Sequence, residues 1–403
     1  MCTAPTLALA DFWELPPIRY SETLPNNKLT ELANHWNHSP SALDGKTPLE
    51  RLRIILAALK IPESSQILVF SKTSKQNQLI HPQQPRALYF SHDTYCGYVP
   101  GGALEVASQD PQLGTVFHLI DLGNPTQTIH IERDTSDCLS CHATGRTEHV
   151  PGLLIRSVYP DAAGHPVLSK GSGVITHETP IEERWGGYYV TGSISLPHLG
   201  NQTYSNARDS EPAVHSWKNL SGKINTAPYP RNTSDIVALM VLEHQCHAHN
   251  LLTAASMNYK RAYHLGKALD PEADPDLGSA GRVADHAAAQ IVSWFLFKNE
   301  ADQGVDGVEG DPEFQERFEA SVPHTADGRS LADFELNRRL FKHRCSYMIY
   351  SAAFQTLPPR VKSRVIAGLK NVLESTTTAD EFPNMKLTER HRTAKILRET
   401  GIF

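Results

Sequence analysis

Apolar residues recur every three or four positions between Thr47 and Lys60, a spacing that predicts an amphipathic helix. Thr47 and Glu50 have the T-x-x-E spacing of a capping box, in which each side chain bonds the other residue's backbone N–H. Pro48 suits the first helical position, and Pro62 marks the end of the helix. We therefore expect a structural helix in this part of the chain.

Shorter β-like runs, separated by turn residues, fill the region from Gln66 to Arg133. The candidate strands are Ile67–Phe70, Ala87–Phe90, Tyr95–Val99, Thr115–Ile120 and Thr128–Ile131. No helical crossover separates them, so an antiparallel sheet is expected. Two more strand-like segments follow, at Leu153–Val158 and Tyr188–Ser195.

Helical spacing dominates after Arg231, where Ser234 or Asp235 can cap a long helix that runs toward His264. Further helices are predicted at Arg282–Lys298, Leu331–Leu357, Arg360–Leu373 and Thr388–Thr400. The whole pattern predicts an α+β fold in three regions. These are a helical N-terminal lead over residues 1–66, a β-rich region over 67–230 and a helical region over 231–403.

The composition narrows the class of protein. The chain has 403 residues, and 38 Lys and Arg residues against 44 Asp and Glu residues give a net charge of −6. This mild acidity argues against a nucleic-acid-binding protein, which needs a basic face. The longest apolar stretches, Ile236–Leu242 and Ile291–Phe297, are far shorter than the ~20 residues that span a bilayer, so no transmembrane segment is expected.

The chemistry of the chain is concentrated at Cys138, Cys141 and His142, which lie in the β-rich region and form a C-x-x-C-H motif. This spacing is the attachment signature of haem c. Two thiols three residues apart on a helical turn can each form a thioether with one haem vinyl group, and the next imidazole reaches the iron from the same side. Asp134 or Thr135 can cap the short helix that this geometry needs. The motif predicts one covalent haem per chain.

Two other interpretations of the same residues remain open. Cys138 and Cys141 could be half of a zinc site, which would need a second ligand pair from the His244, Cys246, His247 and His249 group. They could also be a redox pair, although the βαβ context of such pairs is missing here. Haem attachment explains the adjacent His142 best.

The motif resembles that of c-type cytochromes, and the likeness is confined to Cys138, Cys141 and His142. It implies that the two cysteines anchor the haem and that His142 is the proximal iron ligand. The segment from Arg184 to Gly192 resembles those of large bacterial proteins with a cytochrome-c-like motif, a likeness that implies no particular activity. The chain is several times longer than small electron-carrier cytochromes, which favours an enzyme over a shuttle.

The long helix after Asp235 offers candidates for the other side of the iron. His244 lies in the middle of its apolar stripe, His247 lies at the edge, and His249 falls on another face that we expect to be exposed. His244 is therefore predicted as a distal group or second iron ligand. The simpler alternative is a core histidine bonded to a neighbour. Met240 and Met257 are further candidate ligands, although methionine at helical spacing is usually core packing.

A second group of candidates includes His177 and Arg184. Over a haem face, a histidine that moves a proton and an arginine that stabilises the departing anion would suit peroxide cleavage. The alternative is a β-turn in which Arg184 is exposed and pairs with Glu178 or Glu183. Cys96, Cys246 and Cys345 are expected to be buried free thiols, and a disulfide between two of them is left open.

Together these features predict a periplasmic monohaem redox protein, peroxidase-like or another small-molecule oxidoreductase. His142 is its proximal ligand, and His244, His177 and Arg184 are its distal groups. Its partners would be a small-molecule oxidant or substrate and a redox partner protein. The alternatives are an electron-transfer module with six-coordinate haem and a zinc-stabilised binding protein. Thioether haem is attached outside the cytoplasm, yet no signal peptide is visible in the chain, and Cys2 offers a site for lipid anchoring.

Overall fold

A computed structural model describes residues 11–38, 43–122, 131–205, 211–376, 382 and 385–403. The helices are α1 (Lys28–His38), α2 (Pro48–Ala58), α3 (Leu139–His142), α4 (Ile236–Leu269), α5 (Ser279–Phe295), α6 (Pro312–Glu319), α7 (Ala352–Gln355), α8 (Pro359–Leu373) and α9 (Leu387–Glu399). Most strands lie in the N-terminal half and most helical residues in the C-terminal half, so the fold is α+β, as predicted.

The strands are β1 (Ile67–Val69), β2 (Arg86–Phe90), β3 (Thr94–Tyr98), β4 (Ala103–Asp110), β5 (Gly114–Asp121), β6 (Ile131–Asp134), β7 (Arg156–Val158), β8 (Ser172–Val174), β9 (Tyr188–Tyr189), β10 (Gly192–Ile194), β11 (Ser216–Trp217) and β12 (Val308–Glu309). The main sheet has the order β6-β5-β4-β3-β2-β1-β9. Its neighbouring strands pair antiparallel throughout, which confirms the prediction. The pair β7-β8 and the set β11-β10-β12 form two small sheets beside it.

The main sheet separates two hydrophobic cores, because successive strand residues point to opposite faces. On one face, Leu68, Tyr89 and Leu104 pack with residues of α1 and α2. The opposite face contributes Val69 and Phe117 to a larger core that also contains α4, α5 and α8. Residues from all three predicted regions meet in this larger core. The C-x-x-C-H motif and α4 therefore lie on the same side of the sheet.

Several sequence predictions agree with the elements. The Thr47–Glu50 capping box is present at the start of α2. Asp235 caps α4, and this carboxylate accepts hydrogen bonds from the backbone N–H of Ala238 at 2.8 Å and of Asp311 at 2.6 Å. The sequence analysis missed α1, α6, β4, β8, β11 and β12. The predicted strand at Thr128–Ile131 lies outside the described residues except for Ile131, where β6 begins.

The predicted helix at Leu331–Leu357 is wrong. That segment is mostly turns, with a short 3₁₀ turn at Tyr347–Tyr350 followed by α7. Leu336 has a φ of 56°, which interrupts any α-helix, and Phe334 pairs with Phe341 in an isolated antiparallel bridge. Apolar residues are dense here because the segment packs into the core on several sides, so their density does not indicate a helical face.

In the part of the chain that the structure describes, no helix has both the length and the apolar character needed to cross a membrane. This includes α4, which has 34 residues and carries many polar side chains.

The cap of α4 gives a test of this fold. Asp235→Ala removes one buried and one partly buried hydrogen bond. It should lower the free energy of unfolding by about 2 kcal/mol, because a lost N-cap and an unsatisfied buried N–H both cost stability. Asp274→Ala is the matched control, since Asp274 caps an exposed 3₁₀ turn in the same way. Denaturant unfolding measures both variants, and equal losses would contradict a special role for Asp235.

Candidate functional site

The C-x-x-C-H motif lies where β6 leads into α3. Asp134, the last residue of β6, accepts hydrogen bonds from the backbone N–H groups of Ser136 and Cys138, both at 3.0 Å. Asp134 is thus the residue that stabilises the start of this turn. Helix α3 then covers Leu139–His142, and the Leu139 side chain anchors it in the larger core. The motif residues occupy a single helical turn, as the spacing predicts.

His142 is held in one tautomer. Its Nδ1 atom lies 3.0 Å from the backbone oxygen of Gly152. A carbonyl oxygen can only accept, so Nδ1 carries the hydrogen. Burial lowers the pKa of His142, which favours the neutral ring. The lone pair is therefore on Nε2, and the side chain is only partly buried. This is the form in which a histidine binds a metal.

The carbonyl that orients His142 is itself fixed by α4. Asn250 of α4 accepts a hydrogen bond from the Leu153 N–H and donates one to the Leu153 oxygen, both at 2.8 Å. A Cβ atom on Gly152 would clash with Asn250 Oδ1, so only glycine permits this approach. The sequence analysis missed both residues. An Asn inside a buried helix was the available signal, because such a side chain needs polar partners.

The two thiols have different surroundings, and both are free. Burial, together with the carboxylates of Asp134 and Glu105, raises the pKa of Cys138 to about 12. The Cys138 thiol is therefore protonated at neutral pH. Cys141 is exposed. A neutral thioether suits the surroundings of Cys138 better than the free thiolate that a redox pair requires.

A partly buried ion pair lies near the motif. Arg86 on β2 pairs with Glu105 on β4. The Arg86 guanidinium crosses β3 at Gly97, where any Cβ atom would clash with it. Burial alone would raise the pKa of Glu105, but Arg86 and hydrogen bonds from other side chains bring it below its usual value. Both charges act on His142 and lie on the sheet face that it packs against through Phe117, at a ring distance of 5.1 Å.

The predicted distal histidines form a buried pair. The Nδ1 atoms of His177 and His244 are 2.7 Å apart, so one of them donates to the other. The Nε2 atom of His244 bonds the Ser346 hydroxyl at 2.6 Å. Trp294 and Phe297 pack on the pair. Burial lowers the pKa of both rings, that of His244 to about 3, so both are neutral.

Arg184 belongs to the same cluster. It is buried and pairs with Glu243 at 2.8 Å, so the alternative of an exposed arginine paired with Glu178 or Glu183 is wrong. Its guanidinium also donates to the backbone oxygen of His177 at 3.0 Å. Burial raises the pKa of Glu243 to about 7, against the opposing effect of Arg184. The structure thus brings His177, His244 and Arg184 together, as the sequence analysis grouped them.

The histidine pair and the haem motif make separate sets of contacts. Among the described residues, no hydrogen bond or ring contact joins His142 to His177, His244 or Arg184. Asn250, which bonds the backbone of Leu153 next to the Gly152 that orients His142, follows His244 by six residues, or about 9 Å along the helix axis. Both ring nitrogens of His244 already have partners. A distal role for these three residues stays a prediction that these contacts do not support.

The prediction that His249 is exposed is wrong. His249 is fully buried, and its Nε2 atom lies 2.9 Å from the backbone oxygen of His92. Helix α4 packs against the sheet on one side and against α5 on the other, so a single apolar stripe does not describe it. His247 is partly buried over Trp294 at a ring distance of 4.2 Å. Among the described residues, none of the four candidates for the second half of a zinc site converges with Cys138 and Cys141.

The remaining cysteines match the simpler expectation. Cys96, Cys246 and Cys345 are buried free thiols. Cys2 lies outside the described residues. Within the described ranges, no three His, Cys, Asp or Glu side chains converge as a metal-binding group. No family model, curated protein or solved structure matches the chain.

The buried histidines make stability depend on pH. An unfolded histidine has a pKa of about 6.5, whereas that of His244 in the folded chain is about 3. The stabilisation from the neutral ring is therefore complete above about pH 6.5 and is lost as the pH falls toward the folded pKa. In this window one histidine changes the free energy of unfolding by about 1.4 kcal/mol per pH unit.

We expect His244→Gln to flatten the pH dependence of the unfolding free energy by roughly this slope between about pH 6 and pH 4. His264→Gln is the matched control, because His264 is exposed on the same helix. Urea denaturation at several pH values measures both. A His244→Gln variant with the unaltered slope would show that His244 titrates normally in the folded chain.

Proposed function

We propose that this chain carries one covalently bound haem c and functions as a redox protein. The observation that carries the proposal is the state of His142. Its Nδ1–H is fixed on the Gly152 oxygen at 3.0 Å and its Nε2 is left for a metal, on the same helical turn as two free thiols. The second-sphere hydrogen bond to a backbone carbonyl is the usual way in which a metal-binding histidine is oriented.

The thiols fit attachment to a haem. Each S–H would add across one vinyl C=C bond, with the hydrogen going to the neighbouring carbon, so that two neutral thioethers form. Cys138 is half-buried near Asp134 and Glu105, where a thiolate is disfavoured and a neutral sulfur is not. The redox-pair alternative requires a free thiolate there. The zinc alternative requires further ligands, and none converges with the two cysteines among the described residues. Cys138 and Cys141 are therefore assigned as anchors and His142 as the proximal ligand.

The surrounding residues would hold this ligand in place. Asn250 fixes the Gly152–Leu153 backbone, and Gly152 fixes the ring of His142. A bound haem supplies one-electron chemistry at its iron. The Arg86–Glu105 pair supplies fixed charges beside the ligand, and such charges tune the potential of a redox centre.

We propose small-molecule oxidoreductase chemistry, of a peroxidase-like kind, in preference to a methionine-ligated electron carrier. Met240, Met257, Met348 and Met385 are all at most 3% exposed in the hydrophobic core. Methionine in a core usually serves only to fill space, so none of the four is assigned as an iron ligand. The distal roles of His177, His244 and Arg184 are not needed for this proposal. An electron-transfer module with another sixth ligand is the alternative.

The proposed compartment follows from the cofactor. Thioether haem is normally attached outside the cytoplasm, so we propose a periplasmic location. The partners that fit such a protein are a small-molecule oxidant or substrate and a protein that exchanges electrons with it.

Covalent haem is the first expected outcome. Protein produced in a host that attaches haem c should show a Soret band that acid–acetone extraction does not remove. Replacing both Cys138 and Cys141 with alanine should give a protein that releases all of its haem or holds none. Cys96→Ala is the control, because Cys96 is buried on the opposite face of the sheet. Extractable haem in the unaltered protein, or stoichiometric zinc, would contradict the proposal.

The iron ligand gives a second test. His142→Ala should keep the thioethers but shift the Soret band, because the proximal nitrogen is lost. His149→Ala should leave the spectrum unchanged, since His149 is an exposed histidine a few residues beyond the motif. We expect high-spin ferric iron in the unaltered protein. A low-spin spectrum would instead favour the electron-transfer alternative.

A further inference from the structure

A pocket of about 580 Å³ lies between the β7–β8 hairpin and the segment from Thr176 to Glu183. Its volume is in the range of small-molecule sites. Most of its walls are polar, and they include Lys170, Ser172, Thr176 and Thr179. The pocket shares none of these residues with the haem motif.

Lys170 is the unusual residue of this pocket. Its amino group is fully covered and has no hydrogen-bond partner among the described residues. The Nζ atom lies 5.3 Å from the ring centre of Tyr159 and 5.4 Å from that of Tyr204. Covering an ammonium group costs free energy. Contacts with two aromatic rings offset only about 1–2 kcal/mol of that cost. A counter-charge is missing, and an anion in the pocket would supply it.

The hydroxyl groups of the pocket are arranged as donors. Ser172 Oγ accepts a hydrogen bond from Arg156 at 2.8 Å, and Thr176 Oγ1 accepts one from the Glu178 N–H at 3.2 Å. Thr179 Oγ1 accepts one from the Thr176 N–H at 3.1 Å. A hydroxyl that already accepts from an N–H still has its own hydrogen to donate. Three residues with a hydroxyl hydrogen to donate thus line the same cavity as Lys170, whose covered ammonium adds a positive charge close by.

The charge at the edge of the pocket limits the charge of the ligand. Glu178 and Glu183 also line it, and both side chains are exposed. Their charges are screened by solvent, so they weaken but do not cancel the attraction of the covered ammonium group. They disfavour a ligand with two or more negative charges. A singly charged oxyanion is the best match.

We propose that this pocket binds a small molecule through a carboxylate group, whose charge offsets that of the covered Lys170 ammonium and whose oxygens accept hydrogen bonds from Ser172, Thr176 or Thr179. The assignment does not depend on haem, because every group in it belongs to the chain. Arg156 donates a hydrogen bond to the Ser172 oxygen, so the Ser172 hydroxyl still has its own hydrogen to donate to the ligand.

Calorimetric titration with benzoate, benzamide and inorganic phosphate tests the proposal on the intact chain. Benzoate should bind, and benzamide, which has nearly the same shape but no charge, should bind at least roughly tenfold more weakly. Phosphate should bind more weakly than benzoate, because it is partly dianionic at neutral pH. Tighter binding of phosphate would overturn the carboxylate assignment, and failure of benzoate to bind at millimolar concentration would overturn the site.

Variants locate the binding. Lys170→Met should weaken benzoate binding by roughly tenfold or more. Lys223→Met is the matched control, because Lys223 also stacks on an aromatic ring, that of Trp217 at 3.9 Å, but lies outside the pocket. Ser172 is exposed, so Ser172→Ala should leave the fold intact. This substitution is expected to weaken benzoate binding severalfold. Benzoate affinity that is unchanged in both pocket variants would overturn the proposal.

Discussion

The structure depends on how a polar helix is buried. Helix α4 lies between the main sheet and α5, yet it carries Glu243, His244, Gln245, His249 and Asn250 in its buried part. A buried polar group without a partner costs stability, so each must be paired by a residue from another element. The partners come from the sheet and its β2–β3 turn, from the segment after α3, from the segment between β8 and β9 and from the segment before α7. These bonds determine how the β-rich and helical regions fit together.

The candidate haem site is a consequence of that pairing. Asn250 pairs with the backbone at Leu153, and this places the Gly152 oxygen where it orients His142. The motif supplies the thiols and the imidazole, but α4 decides which imidazole nitrogen is left for a metal. The buried His177–His244 pair results from the same constraint, at a position six residues before Asn250 in α4. The two neutral rings share one hydrogen bond and His244 makes a second one to Ser346, and among the described residues neither ring bonds the motif.

Local sequence patterns predicted those elements whose causes are local. The capping box at Thr47, the cap at Asp235 and the short motif helix depend on residues within a few positions, and all three are present. Predictions failed where burial was inferred from one face of a helix. His249 is buried because α4 has neighbours on two sides, and the Leu331–Leu357 segment is apolar because it packs into the core as turns.

The sequence by itself determined the chemistry that this chain can offer: two thiols and an imidazole at the spacing of haem attachment, and an α+β arrangement of strands before helices. Only the tertiary structure decided the tautomer of His142, the pairing of His177 with His244 and the covering of the Lys170 amino group. Each of these depends on residues far apart in the chain or on enclosure by several elements. Such contacts leave no periodic signal, because a hydrogen-bond partner is selected by position in space and not by spacing in sequence.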